Sequence, residues 1–233
     1  MIDLTAEMAE LWASLGPPPA GSGRVVQFAC AASGEGTSTV AREFARFAAG
    51  RTRKAVWLVD LDFADSSQFR TLASAPRLFG DMGKASAASP DGSSFFTVQP
   101  PARDAEGKPV TDARYMVAHP MGGSQLWVTR FRREMLSPGQ GVRMRATPDY
   151  WNALRRHAEL VVVDSPAAER SNVGLTIAPF MDFTVLVVAA DGADAGAAAA
   201  LKDSILAAGG RCAGLVFNRA SHEPKGLLRM RAP

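Results

Sequence analysis

Residues 25–62 constrain the fold more than any other part of the chain. Val25–Ala29 is an apolar run of strand length, and a glycine-centred loop follows it: Ala31-Ala32-Ser33-Gly34-Glu35-Gly36-Thr37-Ser38-Thr39. From about Ser38 to Ala49, Val40, Phe44 and Phe47 mark the apolar side of a helix, which Gly50 can end. Ala55–Leu61 is a second buried strand, and its end reads Asp60-Leu61-Asp62. Strand, helix and strand make one parallel βαβ unit, which needs a parallel sheet with helices packed on it.

The later part of the chain repeats the alternation. Tyr150–His157 reads as a helix, and Leu160–Val163 as an apolar strand running into Asp164-Ser165-Pro166. A short helix over 173–178, a strand over Phe183–Ala189, a helix over 193–208 with Gly209-Gly210 beyond it, and a strand over Gly214–Asn218 complete the pattern. The expected fold is α/β, three-layered, with a mostly parallel central sheet and helices on both faces, as in P-loop nucleotide-binding proteins. Residues 24–220 are expected to form this domain, with a variable middle region at about 76–148. That region is rich in Pro, Gly and Ser and holds strand-like pieces at Phe95–Gln99, Tyr115–Ala118 and Leu126–Phe131. Residues 1–16 predict an amphipathic helix with Leu4, Met8, Leu11, Trp12 and Leu15 on one face. It either folds back on the core or docks a partner through Trp12. Residues 17–23 are a Pro/Gly linker, and 221–233 a short tail in which Lys225, Arg229 and Arg231 surround Leu227, Leu228 and Met230.

Bulk properties exclude several classes. The 233 residues suffice for one α/β domain, and a net charge of +3 is too weak to imply nucleic acid. Cys30 and Cys212 lie in apolar runs and are expected to be buried, reduced thiols of a cytosolic protein. His119, His157 and His222 are scattered, so no Cys/His cluster has metal-ligand spacing. Asp3, Glu7 and Glu10 occupy the region where a signal peptide would be basic, and the longest clean apolar run, Phe183–Ala190, is too short to span a bilayer. The expected location is cytoplasmic, with any membrane contact peripheral or through a partner. Arg130, Arg132, Arg133, Arg143 and Arg145, opposed only by Glu134, form either a solvated edge or a docking face for acidic or phosphate groups. Phe131 is the one aromatic among them, short of the repeated interleaving that single-stranded nucleic acid would require.

The loop has the form of a phosphate cradle, G-x-x-x-x-G-K-[ST], with Thr37 in place of the lysine. It follows a strand and opens a helix, where free amides attract phosphate. In open parallel sheets ligands bind beyond the carboxyl ends of the strands, so Asp60, Asp62 and Asp164 should border the same crevice. Ser38, Asp60, Asp62 and Asp164 then form a candidate magnesium site, because magnesium takes few protein oxygens besides phosphate and water.

The segments 25–44, 55–63, 160–167, 183–189 and 214–218 resemble the cytoplasmic bacterial tyrosine kinases of capsule and exopolysaccharide synthesis, relatives of the partition and cell-division ATPases. The Gly-Glu-Gly centre, the Asp-x-Asp strand end and the Asp-Ser-Pro strand end carry the resemblance, over roughly 24–75 and 150–220. His119-Pro120, the arginine-rich middle and Glu169-Arg170-Ser171 look most like the kinase-like proteins of holdfast and related exopolysaccharide export. The resemblance implies nucleotide contacts at Ser33, Gly34, Glu35, Gly36, Thr37, Ser38 and Thr39, with Asn218 at the adenine. It also implies Mg-ATP or Mg-ADP as cofactor and a membrane polysaccharide co-polymerase or export protein as partner, and it leaves a homodimer open.

The departures weigh as much. Besides Thr37 at the lysine position, Ser33 and Ser66 stand where the family has proline, and Ala64 where it has a basic residue. The tyrosine-rich C-terminal cluster is absent: Tyr115 and Tyr150 are the only tyrosines. The N-terminal oligomerisation motif is missing, and Ala31 stands where partition ATPases carry their signature lysine. Phosphoryl transfer is positioning plus charge neutralisation, so a missing cation weakens hydrolysis more than binding, unless an arginine such as Arg42, Arg46 or Arg170 compensates. No residue is therefore assigned as catalytic. The leading expectation is a degenerate regulatory or scaffolding subunit with weak or no ATP hydrolysis. An active autokinase or ATPase with an unconventional site, and a partition-type positioning ATPase, are the alternatives.

Overall fold

The computed structural model describes residues 4–220 except 20, 105 and 193. The parallel core is built from β1 (Arg24–Ala29), α2 (Thr37–Ala49), β2 (Ala55–Asp60), α5 (Asp149–His157), β8 (Ala158–Asp164), α6 (Val173–Ile177), β9 (Phe183–Ala189), α7 (Ala195–Ala207) and β10 (Cys212–Asn218), and α1 (Thr5–Leu15) precedes it. After β2 comes α3 (Ser67–Ser74), and the middle region supplies α4 (Pro76–Phe79), β3 (Ser86–Ala87), β4 (Phe96–Gln99), β5 (Met116–Pro120), β6 (Leu126–Phe131) and β7 (Gly141–Met144). The tail expected from residue 221 lies outside the described residues.

Eight strands form one sheet in the order β10-β9-β1-β8-β2-β6-β5-β3, parallel from β10 to β6 and antiparallel over β6-β5-β3. Period-two alternation explains how both faces are covered. Val26, Phe28, Val56, Leu58, Leu160 and Val162 face Val40, Phe44 and Phe47 of α2, while Val25, Val59, Val161 and Val163 face Trp151 and Leu154 of α5 and Val173 and Ile177 of α6. Leu201 and Ile205 of α7 cover Leu186 of β9. The expected three layers, with helices on both faces, are present.

The middle region is more ordered than its composition predicts. It extends the sheet past β2 and adds a separate two-stranded antiparallel sheet, β4–β7, which packs on the α5 face through Phe96, Val98, Val142 and Met144. The strand over Gly141–Met144 and the helix over Ser67–Ser74 have no counterpart in the sequence reading. Cys30 is buried, but Cys212 is only half-buried, because β10 is an edge strand covered on fewer sides. The N-terminal helix folds back: Met8 is buried, and Trp12 lies 6.1 Å from Phe44 of α2.

Candidate functional site

Register brings the site together. In the parallel ladders Phe28 pairs with Asp164, and Asp164 pairs with Asp60. Asp60 has the parity of Val56 and Leu58, and Asp164 that of Leu160 and Val162, so both carboxylates project towards α2, whose first turn carries Ser38. The loop between β1 and α2 bends through Gly34 and Gly36, both at φ 87°, a left-handed conformation that glycine adopts without strain. A Cβ on Gly36 would also stand 1.9 Å from Nδ2 of Asn218. Asn218, at the end of β10, donates to the Glu35 carbonyl at 2.9 Å, which ties the loop to the sheet edge.

The loop amides divide into two groups. Ala32 N–H donates to the Glu35 carboxylate at 3.0 Å, and Ser33 N–H to Glu169 Oε1 at 2.6 Å. Ser33's hydroxyl and amide hold the Glu169 carboxyl below its usual range. Among the described residues, the N–H groups of Gly34, Glu35, Gly36, Thr37 and Ser38 have no acceptor, whereas those of Thr39 and Val40 turn back to the Gly36 carbonyl. Free amides at a helix start form an anion-binding concavity. Thr37 contributes no charge to it: the residue is buried, and its hydroxyl has no partner at hydrogen-bonding geometry beside the Cys30 thiol. Burial pushes that thiol up to about 11, so it stays protonated at neutral pH.

The acidic side of the crevice is organised by Gln68, at the start of α3 and fully buried. Its amide nitrogen donates to Asp164 Oδ2 at 2.7 Å and to the Ser38 carbonyl at 2.8 Å; its backbone N–H donates to Asp60 Oδ2 at 3.0 Å. Its Oε1 accepts from Arg42 at 3.2 Å. Asp60 Oδ1 accepts from the Asp62 N–H at 2.9 Å, and the Asp60 N–H donates to the Thr129 hydroxyl at 3.1 Å. Burial, and then neighbouring Asp164, push the Asp60 carboxyl up to about 7. Burial also pushes Asp164 up to about 6, against the opposing pull of Gln68, Ser38 and the Arg42 charge. Asp62 stands at the mouth: Oδ1 accepts from Ala64 and Asp65, and Oδ2 pairs with Arg170 at 3.3 Å.

These contacts separate the four residues named as magnesium ligands. Asp60 and Asp62 have both oxygens engaged. Asp164 Oδ1 is buried without a hydrogen-bond partner, and the Ser38 hydroxyl adjoins that carboxylate. An orphaned carboxylate oxygen beside a hydroxyl and free loop amides suits a hydrated cation carrying phosphate. Ser38 and Asp164 thus offer the open oxygens that fit magnesium, while the oxygens of Asp60 and Asp62 already accept hydrogen bonds within the crevice. Among the described residues no group of three or more His, Cys, Asp or Glu converges as an all-protein metal cage.

Ser33, Gly34, Glu35, Gly36, Thr37, Ser38 and Thr39 lie in the loop and first helical turn, with Asn218 against Gly36. Gln68 was not legible as part of the site; its only sequence signal is its place shortly after the Asp60-Leu61-Asp62 strand end. Of the three arginines weighed as compensating cations, Arg42 contacts the acidic network, Arg170 the mouth, and Arg46 pairs with Glu43 at 2.8 Å.

The kinase domain of VpsO superposes at TM-score 0.51 and 18% identity, with 85% of this chain and 86% of that chain covered. The kinase domain of the Escherichia coli tyrosine kinase ETK gives 0.52 at 14% identity, covering 94% and 75%. The fold is that of bacterial tyrosine kinase domains. The chimerical protein CapA2B2 shares it at TM-score 0.53 and 17% identity, covering 87% of this chain and 78% of that one. No protein-family model matches the chain, and no curated protein does. In this kinase fold the chain's only two tyrosines are inward: Tyr115 is 2% exposed and Tyr150 is 2% exposed. Burial raises the Tyr150 hydroxyl far above its ordinary value.

Proposed function

We propose that this chain is a degenerate, tyrosine-kinase-like nucleotide-binding protein that serves exopolysaccharide synthesis and export of the capsule or holdfast type. It acts as a regulatory or scaffolding partner of a membrane polysaccharide co-polymerase. Mg-ADP or Mg-ATP is its ligand, held by the loop amides of 34–38 and, through the metal, by Ser38 and Asp164; Asn218 lies on the adenine side. Bound magnesium would supply charge neutralisation at the phosphates. Among the described residues no helix is long and apolar enough to cross a membrane, so the reading has a partner recruit the chain to the inner membrane.

One observation carries the reading: Thr37 places a buried, uncharged hydroxyl where phosphoryl transfer needs a cation, while the amides and the Asp164 oxygen that bind phosphate and metal stay free. Binding is thereby kept and transfer weakened. An autokinase would also need an accessible acceptor, and both tyrosines are buried. The test is calorimetric titration of ADP and ATP with and without magnesium, alongside ATP turnover, on the wild type and Thr37→Lys. We expect magnesium-dependent binding in both proteins and negligible turnover in the wild type. Binding confined to Thr37→Lys, or wild-type turnover that Thr37→Ala reduces, would overturn the reading.

A further inference from the structure

The phosphate loop has no cation of its own, and four arginines lie near it. Arg46 is taken by Glu43 on α2. Arg42 is half-buried against Gln68, and its charge serves Asp164. Arg219 bonds the Gly34 carbonyl and pairs with Asp191 at 3.3 Å; it follows β10, on the Asn218 side of the loop. Arg170 stands on the opposite side. The strand order β10-β9-β1-β8-β2 puts Asp164 and Asp62 across the loop from Asn218, so phosphates running from the amides towards Ser38 and Asp164 extend towards Arg170.

We propose that Arg170 is the phosphate-binding cation of this site and stands in for the lysine that Thr37 replaces. This rests on the nucleotide reading above. The backbone of Arg170 is anchored beside the loop: Ala168 N–H donates to the Cys30 carbonyl at 2.9 Å, Glu169 N–H to the Ala31 carbonyl at 3.1 Å, and the Glu169 carboxylate accepts from Ser33 N–H. Its guanidinium is free to move. The Arg170 side chain is 55% exposed and meets Asp62 through one contact at 3.3 Å. Such exposed pairs contribute little and exchange readily. A guanidinium recognises phosphate oxygens in a fork that a lone carboxylate oxygen does not fill. A polyphosphate entering the crevice thus draws Arg170 from Asp62 onto itself, and the anchored segment needs no rearrangement.

The test is titration of Mg-ADP into the wild type, Arg170→Ala, Arg170→Lys, Thr37→Lys and the double variant Thr37→Lys/Arg170→Ala, with Arg46→Ala as the control for lost charge. Thermal melts establish that each is folded. Arg170→Ala should weaken binding about tenfold or more, as loss of a charge-assisted contact does. Arg170→Lys should recover part of the loss, Arg46→Ala should bind as the wild type does, and a lysine at position 37 should make Arg170→Ala nearly silent. Unchanged or tighter binding by Arg170→Ala overturns the assignment while leaving the nucleotide reading intact, whereas binding that only Thr37→Lys acquires overturns both. If neither the wild type nor Thr37→Lys binds, the nucleotide reading falls and this inference with it.

Discussion

At Gln68 one residue joins four parts of the site: its side-chain amide meets the start of α2, the end of β8 and Arg42, and its backbone N–H meets the end of β2. It was illegible because sequence patterns report apolar periodicity, and Gln68 is buried for its hydrogen bonds. The aspartates were legible because each ends an apolar strand, but their division of labour was not: burial and partner geometry decide it, and neither is written in spacing. Their burial has a consequence in solution. Both carboxyls sit above their ordinary 3.8 in the folded chain, so the folded state holds protons that the unfolded state releases. That stability is complete below the unfolded value and is lost as pH rises through about 6 to 7. Asp164→Asn keeps a carbonyl for the Gln68 amide and removes the buried charge. From 3.8 to about 6 is about two units, so the variant should gain up to about 3 kcal/mol at about pH 8 and little at about pH 4. Urea unfolding across pH checks this; a variant no more stable than the wild type at high pH would refute it.

The most patterned elements were legible nearly to their ends. β6 and β9 match the expected Leu126–Phe131 and Phe183–Ala189, and α2 starts one residue earlier than expected. α3 was not, because the run from Ser66 to Ser74 carries only Phe69 and Leu72 as large apolar residues, too few to set a helical period. The placement of α1 also depends on a contact that periodicity cannot show. Arg24, at the start of β1, donates to the carbonyls of Leu15, Gly16 and Pro17, and so supplies partners for the end of a helix with no basic residue in its last turn. Arg24→Ala should release that end. Hydrogen exchange over residues 5–15 should then speed up while β1, β2 and β8 remain protected. Equal acceleration in the strands would mean that Arg24 supports the whole core instead.

At the scale of the whole molecule, the middle region joins the parallel core through an aromatic cluster. Phe131 of β6 stacks on Phe63 at 4.5 Å, meets Phe96 of β4 edge-on at 5.4 Å and lies 6.1 Å from Tyr115. Trp127 of β6 stacks on Trp57 of β2 at 5.8 Å, so the extension is continuous with the sheet that carries the acidic residues. Composition hid this: Pro, Gly and Ser punctuate the region into pieces too short to reveal that they share one core. The packing implies one cooperative unit over 24–220, in which damage to the middle region is felt at the site. Phe131→Ala removes a buried ring (3% exposed) and should cost about 3–5 kcal/mol. Urea unfolding followed by far-UV circular dichroism and by tryptophan fluorescence should still give coincident transitions, moved together to lower denaturant. An early transition for β4–β7 and β5–β6 with the core unmoved would instead make the middle region a separately folding attachment, and the crevice at Asp60 and Asp164 independent of it.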